Sequence, residues 1–333
     1  MKLQFLVPHY HEKAEVIKPL LDSIAIQQNI DFDEVGVIIC HDGKDILDFD
    51  FPNSMEQLDY ADFPIYPFKI EQISIPHGGV SACRNACLDH ATADYVMFCD
   101  ADDMFYNNCG LWILFREMNI GFDSLVSVFV EETRTPDRKQ VEYVNHDRDT
   151  TFVHGKVHRR KYLINNNIRF NPKLTIHEDS YFNILAQNLS QNVKYCITPF
   201  YLWRWRDDSV CRHDKKYILK TYKNMLDSND ALVDEFIDRG MKDKAGFYTV
   251  FMIFDAYYTM NKPDWVNQKN KRYRNNTEKR FAEYFAKHKD LWDAISDADK
   301  MQVSMMVRNR SVMEGMQMES ITIEEWLRHI EEL

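Results

Sequence analysis

A chain of 333 residues with 45 % hydrophobic and 28 % charged side chains, and only 10 Gly and 10 Pro, has the composition of a folded protein and excludes a disordered, fibrous or low-complexity one. Its net charge of −11 is uneven: residues 1–105 carry 6 Lys/Arg against 19 Asp/Glu, residues 106–212 carry 15 against 12, and residues 213–333 carry 20 against 21. The acidic first third disfavours a polyanion unless a cation intervenes, so anionic groups are expected to land nearer the middle third.

The N-terminus, MKLQFLVPHYHEK, has too short an apolar run for a signal peptide, and no stretch reaches the roughly 18–20 apolar residues that span a bilayer. A soluble, cytoplasmic protein is expected. Residues 3–7 read as a buried strand ending at Pro8, and residues 12–28 as a helix that Pro19 should kink. Residues 35–40 form a second strand closed by His41-Asp42-Gly43, and residues 68–75 a third, followed by Pro76-His77-Gly78-Gly79. A helix over 81–90 then leads to a central strand, YVMFC at 95–99, which ends on Asp100. This alternation predicts an α/β class with a largely parallel sheet covered on both faces. Ligands bind such sheets beyond the carboxyl ends of the strands, where Asp42, Asp100, Asp102 and Asp103 fall.

The middle third predicts strands at 124–132 and 139–145 around a Thr135-Pro136-Asp137 turn, a stretch 155–162 leading into a helix, and a helix over 176–187. Glu178 and Asp179 fall at the start of that helix, the favoured end for acidic side chains. Residues 195–206 read as a strand with Trp203 and Trp205 on one face and Arg204 and Arg206 on the other. From about His213 the alternation stops, and helices are expected at 215–237, 245–260, 279–288, 291–308 and 323–333, with 262–276 a polar, basic connector. The seven Cys form no CxxC pair and read as buried free thiols.

The sharpest chemical feature is Asp100-Ala101-Asp102. Two carboxylates at i and i+2 on a strand end suit Mg²⁺ or Mn²⁺, which take hard oxygen ligands and leave positions open for diphosphate oxygens. A solvated acidic turn is the plain alternative. Taken in order, LVPHYHE, HDGKD, GGVSACRNACLDHATADYVMFCDADD, HGKVHRRKYL, HEDSYFN and YLWRWRDDS resemble the family 2 glycosyltransferases. The resemblance covers about residues 2–213 and rests on the order of six motifs.

That resemblance implies a GT-A fold, a Rossmann-like nucleotide-binding mixed sheet, over residues 1–212, with a helical C-terminal domain over 213–333 for acceptor binding or self-association. It implies a UDP-sugar donor, with Pro8 and Asp42 at the nucleobase, Arg84 and Asn85 near base and diphosphate, and Asp100 at the ribose. Asp102, with Asp100, would hold the divalent metal, and Arg206 and Ser209 would close over the diphosphate. Asp179 would be the general base for inverting transfer, its acidity weakened by Glu178 alongside. Asp103 receives no role. Three departures from the family pattern stand out: His41 replaces the first Asp of an Asp-Asp-Gly turn, Lys44 follows Gly43, and His9 and His11 stand where small polar residues are usual.

Other features stay open. His213 reads as a surface residue or a metal or diphosphate ligand. The run Lys156, His158, Arg159, Arg160, Lys161 reads as a solvated face or a site for a phosphate-bearing acceptor, and Lys269, Lys271, Arg272 and Arg274 as a short patch for a polyanion. Trp203 and Trp205 either pack in the core or stack on a sugar. The acceptor implied is a glycan or polyol-phosphate polymer, with modified nucleic acid the alternative. A metal-dependent nucleotidyltransferase or hydrolase is a second class, disfavoured because the loop after the first strand has no glycine.

Overall fold

The computed structural model describes residues 1–43, 51–52, 63–135, 137, 139–207, 217–313 and 321–333. In β1 (Leu3–His9), Leu3, Phe5 and Val7 point to one side and Leu6 to the other, and all four are fully buried. A strand covered on both faces belongs in the middle of a sheet. There it pairs in parallel with β2 (Val35–Asp42) and β4 (Tyr95–Phe98), and β2 pairs in parallel with β3 (Lys69–Ile75). Both β1 and β2 run two residues further than their apolar patterns suggested, so that His9 lies opposite His41.

Beyond β4 the direction changes. β8 (Lys156–Arg159) pairs antiparallel to both β4 and β6 (Ser124–Arg134). β9 (Val193–Trp203) runs parallel to β6, and the short β5 (Met104–Phe105) runs antiparallel to β9. β7 (Val141–His146) pairs with β6 off the main path. The nine-stranded sheet is therefore mixed, whereas alternation alone predicted a largely parallel one. The difference lies at 155–162, where a four-residue strand, three of its residues buried, precedes the helix α4 (Arg160–Asn165).

α1 (Ala14–Ala25) runs through Pro19 and covers one face of the sheet together with α3 (Gly110–Ile120), which the sequence pattern had not revealed. Their Ile17, Leu20, Leu21, Ile24, Leu111 and Leu114 share one core with Leu3, Phe5 and Val7. α2 (Gly79–His90) packs over β1, β2 and β3, and α5 (Glu178–Leu189) brings Phe182 onto Phe98 and Phe170. The six described cysteines are free thiols, four of them buried.

The chain divides into two compact units, Met1–Ser209 and Val210–Leu333. The second contains α6 (Tyr217–Asp238), α7 (Lys242–Met260), α8 (Pro263–Val266), α9 (Lys271–Ala294), α10 (Asp297–Met313) and α11 (Ile323–Glu331). It has its own core, including Tyr222, Ile253, Trp265, Phe281, Tyr284 and Trp326. In α7 the Asp255 carboxylate accepts the Tyr222 hydroxyl at 2.7 Å. The basic connector at 262–276 is largely α8 and the first turns of α9, because Trp265 is fully buried and bonds Glu278 at 2.9 Å. No helix among the described residues is long and apolar enough to cross a membrane.

Gly155 has φ +64°, and a Cβ there would lie 2.5 Å from Ser127 Oγ, a hydroxyl already bonded to the Gly155 carbonyl. Gly155→Ala is expected to cost about 2 kcal/mol, read as a lower denaturant midpoint at unchanged slope.

Candidate active site

Asp100 lies two residues past the end of β4, so the central strand places its carboxylate beyond the sheet. Arg84, on the second turn of α2 and 4 % exposed, reaches it with Nη2 at 2.8 Å. The other arm, Nη1, reaches Glu178 Oε1 at 2.9 Å on the first turn of α5. The Phe170 ring lies 5.1 Å from the guanidinium carbon and supports it. One planar cation thus ties a strand end to a helix start. Burial pushes the Asp100 acid up, but Arg84, with help from His154, outweighs it and leaves Asp100 more acidic than usual.

Asp179 is next to Glu178 and half-buried, and its Oδ1 accepts the Ser180 N–H at 2.8 Å. Burial first, and Glu178 second, raise its pKa to about 7 against the opposing pull of Arg84. The sequence reading named Glu178 as the cause; burial is the larger one. The α5 entry turns on His177, which adopts a left-handed conformation at φ 65°.

Asp102 Oδ2 pairs with Arg206 Nη1 at 3.1 Å, and Arg204 Nη1 donates to the Asp102 carbonyl at 3.2 Å. β9 ends at Trp203, so the expected alternation of Trp and Arg through residue 206 does not hold. Both arginines turn toward Asp102. Trp203 packs against Phe152 and His154, while Trp205 Nε1 donates to Asp207 at 3.3 Å. Burial, then the Asp100 charge, raises the Asp102 acid above its usual range even with Arg206 attached. Two hard carboxylates two residues apart, Asp100 and Asp102, are of the kind that fits a divalent cation such as Mg²⁺ or Mn²⁺.

Asp103, given no role by the sequence reading, is 1 % exposed and accepts from the Tyr201 hydroxyl at 2.6 Å and the Arg204 N–H at 3.0 Å. The same hydroxyl accepts the Asp100 N–H at 3.2 Å. His154 stacks on Tyr201 and Phe152, and burial lowers its pKa to about 3, so the ring is neutral at physiological pH.

At the neighbouring strands, Pro8 is half-buried in β1, and Asp42 ends β2. The Asp42 oxygens accept the Gly78 and Gly79 N–H groups at 2.7 and 3.0 Å, holding the start of α2, and His77 Nδ1 adds a 2.9 Å contact. Tyr10 stacks on His77 with centroids 5.1 Å apart. His41, in the place of an expected acid, is fully buried and joins His9 Nδ1 and Gln72 Oε1, each at 2.9 Å. The Asn85 amide clamps the Phe170 backbone through two bonds, at 2.8 and 3.0 Å. Ser209, His213 and Lys44 lie outside the described residues.

The basic run at 156–161 is neither a solvated face nor an open patch at its first residues. Lys156 and His158 are each 1 % exposed, Lys156 pairs with Asp149 at 3.4 Å, and the Arg159 and Arg160 Nε atoms bond the Phe122 and Ala93 carbonyls. Val157, between Lys156 and His158, is fully buried as well, so β8 is covered on both faces and shows no two-residue alternation.

A family model described as glycosyl transferase family 2 matches residues 5–175. EpsH of Bacillus subtilis (strain 168), named as a glycosyltransferase, is 21 % identical over 238 residues, 66 % of this chain and 65 % of that one. The chain thus spans just under two thirds of that relative's length. The crystal structure of S. aureus TarS 1–349 in complex with UDP matches with a TM-score of 0.61 at 15 % identity, over 95 % of this chain and 92 % of that one. The TarS 1–349 complex with UDP-GlcNAc matches with a TM-score of 0.60 at 16 % identity, over 93 % and 92 %. At such identities the likeness carries the fold: the GT-A mixed sheet with a helical C-terminal region.

Removing Arg84 strands two carboxylates. Arg84→Gln is expected to lower stability by about 3–5 kcal/mol in urea unfolding, and Arg84→Lys to recover only part of it, since one ammonium cannot span both partners in the same geometry.

Proposed function

The chain belongs to glycosyl transferase family 2, and from that premise we propose that it is an inverting glycosyltransferase that moves a sugar from a UDP-sugar to an acceptor hydroxyl. The observation that carries this reading is the Arg84 bridge. It holds the start of α5, and with it Asp179, on the same guanidinium as the Asp100 carboxylate. The UDP and UDP-GlcNAc complexes of TarS support the choice of a uridine nucleotide.

Asp179 takes the proton of the acceptor hydroxyl as that oxygen attacks the anomeric carbon, on the face opposite the departing diphosphate. The configuration therefore inverts. A carboxylate whose pKa lies near 7 is suited to this step, being ionised at working pH yet basic enough to accept the proton. Asp100 faces the ribose. Arg206, held at Asp102, is placed to meet the diphosphate as charge develops on it, with Ser209 following in the chain. Asp102 and Asp100 would hold Mg²⁺ or Mn²⁺, which when bound offsets charge on the leaving diphosphate. Pro8 and Asp42 line the base end, where Asp42 also fixes α2. The acceptor is a glycan or polyol-phosphate polymer, and exposed Lys269, Lys271 and Arg272 of the helical unit suit an anionic chain.

Thermal shift tests the donor: stabilisation by UDP that requires Mn²⁺ is expected, and indifference to every nucleoside diphosphate overturns the assignment. Asp179→Asn is expected to lower transfer at least about 10²-fold while keeping that shift. In the wild type, kcat/KM should rise with pH through about 7 as the base loses its proton. Because the raised pKa makes the ionised form costly in the folded state, Asp179→Asn should also raise Tm more at pH 8 than at pH 5.

A further inference from the structure

Asp100 also belongs to a group of donors whose other two members, Asp103 and His154, the proposed reaction does not use. One donor atom from each of Asp100, Asp103 and His154 lies within 4.8 Å of the other two. His154 Nδ1 is buried, has no hydrogen-bond partner among the described residues, and points at Asp103 Oδ2 from 3.6 Å. That separation is too long for a hydrogen bond. It is close to the spacing of two donors on one ion, since atoms each ~2.1 Å from a metal stand about 3.0 Å apart at a right angle and about 3.4 Å apart at a tetrahedral one.

The ring cannot readily turn away to find another partner. It is stacked between Phe152 and Tyr201, with Trp203 at 5.1 Å, and the following Gly155 is in a conformation a side chain would strain. Asp103 spends one bond per oxygen on Tyr201 and Arg204, and Asp100 Oδ1 one on Arg84, so lone pairs remain on all three oxygens. The Asp100 side chain is 32 % exposed, which gives an ion a way in from solvent.

We propose that Asp100, Asp103 and His154 form a divalent-cation site built from protein donors alone, occupied without nucleotide and sharing only Asp100 with the diphosphate metal at Asp102. One imidazole and two carboxylates select an ion of intermediate softness, Mn²⁺ ahead of Mg²⁺. The site ties the DxD turn to the 152–155 loop, so its occupancy sets the position of Asp100 before a donor arrives.

The test uses the full chain, stripped with EDTA and titrated with Mn²⁺ alone, read by electron paramagnetic resonance and by ¹⁴N modulation of the electron spin echo. A bound Mn²⁺ with one directly coordinated nitrogen is expected. Asp102→Asn should keep the nitrogen signal. His154→Phe, which preserves the ring stacking, should lose it and weaken binding at least about ten-fold. If His154→Phe fails to fold by circular dichroism, His154→Gln is read in the same way. An all-oxygen Mn²⁺ signal in the wild type, a nitrogen signal that survives loss of His154, or no binding without nucleotide each overturns the site. None of these readings involves UDP, so failure here is distinct from failure of the glycosyltransferase assignment.

Discussion

One guanidinium must satisfy two carboxylates, Asp100 and Glu178, that come from distant parts of the chain, and the rest of the site depends on it. Asp100 is at the end of a buried strand and Glu178 at the start of a helix, positions that the fold cannot align by local rules. Arg84 aligns them because its planar fork offers two parallel donor pairs in fixed directions, and because the Phe170 face holds it. Asn85, the next residue on α2, pins the Phe170 backbone. The Arg-Asn pair therefore acts as a unit: one residue bridges the acids, and the other fixes the platform on which the bridge rests.

The sheet explains why this can happen at all. Its parallel half sends β1, β2 and β4 toward the same edge, so Asp42 and Asp100 emerge on the same side. The antiparallel insertion of β8 then lets β6 and β9 continue the sheet in the β4 direction, and β9 delivers Tyr201, Arg204 and Arg206 to the same edge. The Tyr201 hydroxyl, which accepts from Asp100 N–H and donates to Asp103, locks the DxD turn to β9. A purely parallel sheet would have required a crossover helix at that point and could not have placed β8 there.

Much of this was legible in the sequence, for physical reasons that differ by element. Strands buried on both faces announce themselves as apolar runs, so β1, β2 and β4 were clear, as was the acidic helix start at Glu178. β8 was not, because Lys156 and Arg159 looked like surface; burial of Lys156 depends on Asp149, a partner that no periodicity reveals. Nor could the pattern separate Arg84 from Asn85 in role, since both fall on one helix turn and only the tertiary position of Phe170 distinguishes them. Asp103 was passed over for the same reason: a third acid beside two others looks solvated until Tyr201 and Arg204 are brought to it.

The electrostatics of the cluster follow from that crowding. Asp100, Asp102, Asp103, Glu178 and Asp179 converge, while among the described residues the guanidinium ion pairs that reach them come from Arg84 and Arg206. Such an excess can be relieved only by protonation or by added cations. Two of the acids answer that crowding in opposite ways. At Asp179 the acid is pushed toward neutrality, which is the property a base acting near pH 7 requires. At Asp100 the Arg84 charge wins and the carboxylate stays ionised, the property a ligand for ribose or metal requires. The same crowding therefore yields two opposite outcomes, and the position of one arginine decides which carboxylate receives which.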